Sequence, residues 1–401
     1  MSKVIELGGT SSLFSGYTIL AKSMMGSGLL GVAAACAKSG WLIGSMLAIL
    51  IPLMTFLSLH LLASVALRHP DIRPLTFFNL CSAVSGSVMA WFVEISLILK
   101  TFGAAIVYLQ VAGNMLSNLM FSPEMSVSKP TLCRLIQVGI ALVFSPFCFM
   151  KQLTNTRYVN ALGIACLIYI VITACIYFDP SGADSSSSSL NPESFLGLVS
   201  KIPIFVFAYC CHQNVFGIVT ETKNPSIARM DVIMALACLT GFLVYVPVQI
   251  FPYWTFGSTV KDNFLNNLPS SDGVVKTAFV CAAVSVSISF PLQIIPLRNS
   301  VCALIDRGSK SGIQRPILMR YAVAGIAILA SLSIALAVSS LGVVMAATGL
   351  IGGNTICFLA PSILYLRSHK RDHWLWYLAA ALCFVSLALY PLCLVGIILT
   401  A

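Results

Sequence analysis

Residues 13–36 read LFSGYTILAKSMMGSGLLGVAAAC, an apolar run that carries one lysine, Lys22, and a glycine-flanked interruption, Gly26-Ser27-Gly28. About 20 apolar residues suffice to cross the roughly 30 Å hydrocarbon core of a bilayer as a helix. A charge near the middle of such a helix costs a few kcal/mol or more unless it faces a cavity or a partner. At roughly 1.5 Å per residue, Lys22 lies some 13 Å into the run, so snorkelling to the near interface is strained. A helix broken at mid-depth bares peptide groups that only surrounding protein or a lined cavity tolerates. The stretch therefore predicts a membrane-spanning helix with a binding site at its break.

Runs of the same kind recur along the whole chain. Hydrophobic residues make up 58% of the 401 and charged residues 9%, against roughly 25% charged in soluble domains. Eleven spans are expected, at about 13–36, 41–66, 87–119, 131–150, 158–178, 195–219, 229–255, 273–305, 317–338, 341–366 and 374–399. Outer-membrane barrel strands would be shorter and would alternate, so the fold class is all-α, polytopic and membrane-embedded, and the lipid bilayer is the first partner. The opening MSKVIELGGTSS has no cleavable-signal pattern, so the first helix is expected to be retained.

The net charge of +10 does not point to nucleic acid, because the basic residues gather in short loops on one side. Fifteen Lys and Arg fall on the side of the N-terminus, among them Arg68, Arg73, Lys223, Arg229 and Arg371. Five fall opposite: Lys38, Lys129, Arg134, Lys261 and Lys276. That asymmetry predicts a cytoplasmic N-terminus, and an odd number of spans then leaves the C-terminus outside. The long polar loops 179–193, with its serine run, and 257–272 fall outside. The cysteines sit mostly within apolar runs as small hydrophobes. No metal-ligand spacing, cofactor motif, protein-partner motif or catalytic constellation is visible, so no enzyme is expected. Asn191 and Asn224 are each followed by proline, so no glycosylation acceptor occurs, which disfavours a heavily glycosylated cell-surface protein.

A second interruption, Phe207-Ala208-Tyr209-Cys210-Cys211-His212-Gln213-Asn214, lies in span six, five spans after the first. Two broken helices at corresponding places in two five-helix halves predict an inverted repeat. The chain then reads as one transmembrane domain. Residues 1–12 form a short cytoplasmic tail, about 13–178 the first repeat, about 195–366 the second, and about 374–399 an extra helix.

The half-helix that starts at Gly28 directs its positive end into the gap, where a carboxylate fits; the competing reading is close helix packing through small residues. Freed carbonyls around 207–210 can take an ammonium. His212 is the candidate proton relay, set against a histidine satisfied by nearby backbone. Buried Lys22 would lose proton affinity and so could titrate during a cycle. Ser285, Ser287 and Ser289 can ligate a cation or bond to their own helix. Glu94 and Lys100 are six residues apart and do not share a face; Glu94 is expected near the cytoplasmic interface, and His60 is expected to be structural.

The segments AKSMMGSGLLGVAAACAKSG (21–40), LKTFGAAIVYLQVAGNML (99–116), FAYCCHQNVFGIVTETKNPS (207–226) and SFPLQIIPLRNSV (289–301) resemble the amino acid/auxin permease family of the amino acid–polyamine–organocation superfamily. The resemblance implies a LeuT-like 5+5 inverted repeat plus one helix, alternating access and an amino acid substrate. It places the carboxylate at Gly26, Ser27 and Gly28, the ammonium at carbonyls around Phe207, Ala208, Tyr209 and Cys210, and Tyr108 on the opposing wall. In sodium-coupled relatives the position matching Lys22 is an asparagine that ligates sodium with a hydroxyl matching Ser289. Here the Lys22 ammonium is expected in place of the metal, donating to Ser289. Transport would then be sodium-independent, whether proton-coupled, exchanging or facilitative. Tyr, Cys, Met and Ala in the expected pocket favour neutral amino acids. A cationic-substrate transporter and a transporter-like amino acid sensor are the alternatives, and the plasma membrane and the vacuolar or lysosomal membrane both remain open.

Overall fold

The computed structural model describes all residues except 1–8, 27, 151–156, 182–191, 309–316, 339, 372–373 and 401. Ser27 and the serine run therefore lie outside the described residues. The first run is two helices, α1 (Leu13–Met24) and α2 (Gly28–Ser39), bent by 50° at the break. Then follow α3 (Trp41–Arg68), α4 (Phe77–Ser85), α5 (Ser87–Met120), α6 (Lys129–Cys148) and α7 (Arg157–Ile176). Span six is also divided, into α8 (Phe195–Ala208), a single 3₁₀ turn at His212–Asn214, and α9 (Val215–Glu221). Beyond it run α10 (Ile227–Phe256), α11 (Gly273–Gly308) and α12 (Ile317–Ala337). α13 (Leu341–Thr348) and α14 (Ala360–Ser368) are joined by π-helical turns, and α15 (Trp374–Thr400) closes the chain.

Nine of these stretches are long and apolar enough to cross a membrane, and the bent pair α1–α2 makes a tenth; α7 contributes a shorter apolar stretch, Asn160–Ile176. Helix thus occupies each region expected to span. Burial sorts the helices. The most apolar windows of α5 and of α8–α9 are each 72% buried and that of α13–α14 78%, while those of α6, α12 and α15 are 17, 22 and 28% buried. The second set presents large apolar side chains outward, such as Leu142, Leu329 and Phe384, as a lipid-facing layer must. Inner helices without a hydrophobic driving force against lipid approach one another through small residues. A Cβ on Gly352 would sit 2.5 Å from Cβ of Lys100, and one on Gly103 2.0 Å from Oγ1 of Thr348, so the π-helical region seats directly on α5.

One feature departs from expectation. The segment between spans two and three, read as loop, folds into α4, capped by Thr76, whose side chain accepts from the Asn79 N–H. Glu94 on α5 is 5% exposed, and α4 packs against α5. The extended residue Ser11 pairs in parallel with Thr222, its N–H donating to Glu221 O and its carbonyl accepting from Lys223 N–H. The entry of α1 is thereby tied to the exit of α9. All fourteen cysteines are unbridged, and no metal-binding cluster occurs among the described residues.

Candidate functional site

The two interruptions meet. A Cβ on Gly28 would lie 2.7 Å from Cα of Ala208, and one on Gly26 2.9 Å from the Tyr108 hydroxyl. The small-residue reading of the first break is thus true as packing, and the packing brings both breaks to one point. Between them lies a hollow of about 10 Å³, room for about one water molecule. Of the residues expected there, Gly26, Gly28, Tyr108, Phe207, Ala208 and Cys210 line it. Tyr209 does not: its ring packs on Tyr245, with centroids 4.9 Å apart, beside Gly241 and Met24.

Helix ends supply the polarity. Met24 and Ala208 are the last residues of α1 and α8, where carbonyls run out of intrahelical partners; the Met24 carbonyl accepts from the Gly26 N–H at 3.0 Å. The Tyr245 hydroxyl, from α10, donates to both, at 2.9 Å to Met24 O and 3.0 Å to Ala208 O. Two helix C-termini give the hollow partial negative charge, and the N-terminus of α2 gives partial positive charge. That distribution suits a ligand with an ammonium at one end and a carboxylate at the other.

Three contributors escaped the sequence reading. Tyr245 sits in an unbroken, uniformly apolar span. Ser23 lines the hollow and accepts a hydrogen bond from Gln213 Nε2 at 3.2 Å. Lys100, set aside because it does not share a face with Glu94, is 3% exposed and lines the hollow; among the described residues its ammonium makes no hydrogen bond or ion pair. The spacing Lys100, Ala104, Tyr108 puts the three on one stripe of α5, which was the available signal.

Beside the hollow opens a second cavity of about 120 Å³, lined in part by Lys22, Asn160, Gln213, Ser289 and Gln293. Ser23 and Tyr108 belong to both spaces and separate them. Lys22 is 4% exposed, and its Nζ donates to Ser285 Oγ at 3.0 Å. The expected partner Ser289 is one helical turn away, because its own hydroxyl donates to the Ser285 carbonyl at 2.7 Å. Span one and span eight are therefore joined through Lys22 at Ser285 and not at the expected Ser289. The stem of Lys22 crosses α7 at Gly163, where a Cβ would come within 2.3 Å of Lys22 Cε.

His212 is fully buried and lies away from both spaces, its Nε2 2.6 Å from Ser58 Oγ on α3. His60 Nδ1 is within hydrogen-bond distance of Asp231 Oδ1, at 2.8 Å, between α3 and α10.

A bundle of apolar helices with two interrupted spans meeting at a small polar hollow is the build of a membrane transporter. The chain belongs to the family described as transmembrane amino acid transporter protein, which it matches over residues 9–399. It is 30% identical to vacuolar amino acid transporter 5 of Schizosaccharomyces pombe, over 90% of this chain and 86% of that protein. It is 26% identical to vacuolar amino acid transporter 6 of Saccharomyces cerevisiae, over 76% of this chain and 69% of the relative. With vacuolar amino acid transporter 5 of the same yeast it shares 26%, over 74% of this chain and 67% of the relative. Family and relatives support amino acid transport across a membrane.

Proposed function

We propose that this chain is a sodium-independent amino acid transporter of the vacuolar membrane, working by alternating access around the two broken spans with its N-terminus in the cytoplasm. The observation that carries the reading is the meeting of the breaks at Gly28 and Ala208, with Lys22 fixed beside them on Ser285. The substrate carboxylate binds at the start of α2, at Gly26, Ser27 and Gly28, and its ammonium at the carbonyl ends near Phe207 and Ala208. Helices 13–178 and 195–366 act as the two halves of the cycle. The hollow holds about one water, so the conformation corresponds to an occluded state that must open to admit substrate.

Neutral amino acids are the preferred substrate class. Lys100 at the hollow and Lys22 next to it disfavour a lysine or arginine side chain, since like charges about 4 Å apart repel by about 4 kcal/mol even at an effective dielectric of 20. Proton coupling, exchange and facilitated flux all agree with a fixed ammonium at the place of a metal ion. Uptake of radiolabelled amino acids by proteoliposomes is the test. Rates are expected to be unchanged when sodium is replaced by choline; a collapse of uptake in choline would overturn the reading.

A further inference from the structure

Lys100 poses a problem that the helix ends around the central hollow do not solve. Its side chain is 3% exposed, and among the described residues it is the one charged group that lines the hollow. A charge at such depth is costly unless it faces a partner. Among the described residues no ion pair or hydrogen bond takes it up, yet its ammonium is not sealed away from accessible space as the Tyr209 hydroxyl is. A buried, unpartnered donor that opens on a binding space has its acceptor supplied by the ligand. We propose that Lys100 selects the substrate by its side chain, favouring neutral amino acids that end in a carboxamide, whose oxygen accepts from the Lys100 ammonium. The proposal rests on the reading of the hollow as the amino acid site and deepens it.

Position along α5 decides which part of the ligand meets the lysine. Tyr108 marks the end where the carboxylate binds, its hydroxyl lying 2.9 Å from where a Cβ on Gly26 would be. Lys100 starts about 12 Å back along the helix axis, at roughly 1.5 Å per residue, so its stem enters the hollow from the other end. Ala104, between the two on the same stripe, ends in a methyl group and leaves that length of wall to a ligand side chain. The stem cannot withdraw at its base, because the π-helical region seats on it: a Cβ on Gly352 would lie 2.5 Å from Lys100 Cβ and 2.7 Å from its Cα. An amino acid held by its carboxylate at the start of α2 therefore directs its side chain at the ammonium.

An ammonium donates and cannot accept. A cationic side chain is repelled by it, and an apolar one shuts it in without a partner. A carboxamide sets a carbonyl oxygen against it, in a charge-assisted hydrogen bond roughly twice as strong as a neutral one. The amide nitrogen can donate to the Cys210 sulfur, which lines the same space. Discrimination follows from the unpaired state: a site built to hydrogen-bond its ligand rejects the analogue that leaves its buried polar group bare.

The test is proteoliposome uptake of near-isosteric pairs, asparagine with leucine and glutamine with methionine. The wild type is expected to favour each amide over its apolar partner at least tenfold in kcat/KM. Lys100→Met keeps the length of the stem and drops the ammonium. It is expected to reverse the order, raising KM for the amides at least tenfold and lowering it for leucine and methionine. Leucine uptake then shows that the variant folds; should it not fold, the wild-type ratios alone decide. Leucine carried by the wild type as well as asparagine would overturn the proposal. So would a Lys100→Met change that weakens both members of a pair equally, as expected of a lysine that holds the α-carboxylate or an inorganic anion. Aspartate carried better than asparagine, with that preference lost in Lys100→Met, would keep Lys100 as the selecting residue and overturn the carboxamide and the neutral class. Absence of uptake for every amino acid would sink the transport reading and this proposal with it.

Discussion

Lys22 shows how one residue can be legible and still be half-read. Its position in an apolar run announces a role, because burying an ammonium is too costly to be idle. What the run does not contain is the room for it, which comes from Gly163 on another span. Nothing in the spacing of 158–178 marks that glycine. Gly163→Leu is expected to push the lysine stem off Ser285 and to lower transport at least tenfold, about 1.4 kcal/mol of barrier, while the protein still elutes as a folded species. Uptake rates together with size-exclusion profiles check this. Tyr245 was equally silent in sequence, since its value depends on two helix ends arriving on either side of its hydroxyl. Tyr245→Phe removes the hydroxyl donor to Ala208 O and one of two donors to Met24 O, which keeps the Gly26 N–H. A buried carbonyl left without its donor costs about 1–3 kcal/mol. A lower thermal midpoint and a weaker apparent affinity for substrate are therefore expected, measured by unfolding in detergent and by concentration-dependent uptake.

At the scale of elements, the interruptions were readable because glycine pairs and a polar cluster are rare inside spans, and their chemistry is local. The short α4 was missed for the converse reason. Its nine residues sit between turn formers, and they pack against α5. The π-helical turns between α13 and α14 were missed because such turns arise from fit against α5, not from any local code. The start of α11 offers a test outside the apolar core. Asp272 caps it, its Oδ1 accepting from the Val274 N–H at 2.8 Å. A hydrogen bond from the Tyr177 hydroxyl, and then that N–H, hold its carboxyl below the usual carboxylate range. A group whose folded pKa is depressed stabilises the fold above its unfolded pKa, and that contribution is lost as pH falls through the folded pKa. Asp272→Asn should therefore lower the thermal midpoint near neutral pH, and the difference from wild type should shrink as the medium is acidified through the carboxylate range. A gap that widens on acidification would show that the carboxylate is not the stabilising form.

For the whole molecule, the decisive quantity is what occupies the junction of span one with span eight during a cycle. The structure places an ammonium there, hydrogen-bonded to Ser285 with Ser289 turned back on its own helix. A sodium ion about 4 Å from that charge would lose about 4 kcal/mol at an effective dielectric of 20, roughly a thousandfold in affinity, so wild-type flux should carry no sodium dependence. The lysine also links the two spans in every state in which it stays on Ser285, so opening of the bundle must either carry both spans together or break that bond. Lys22→Asn separates the two roles. It removes the repulsion and offers an amide oxygen, so sodium-stimulated uptake is expected if the surrounding carbonyls and the Ser285 and Ser289 hydroxyls can complete the coordination. Lys22→Met removes the charge without offering a ligand and should give low uptake that sodium does not rescue. Initial rates for the three proteins across a sodium series, at fixed pH and with choline keeping ionic strength constant, distinguish the cases. Should Lys22→Met retain wild-type rates, the lysine would be a packing residue, and the coupling of this transporter would have to be sought in the cation that Lys100 presents to the central hollow.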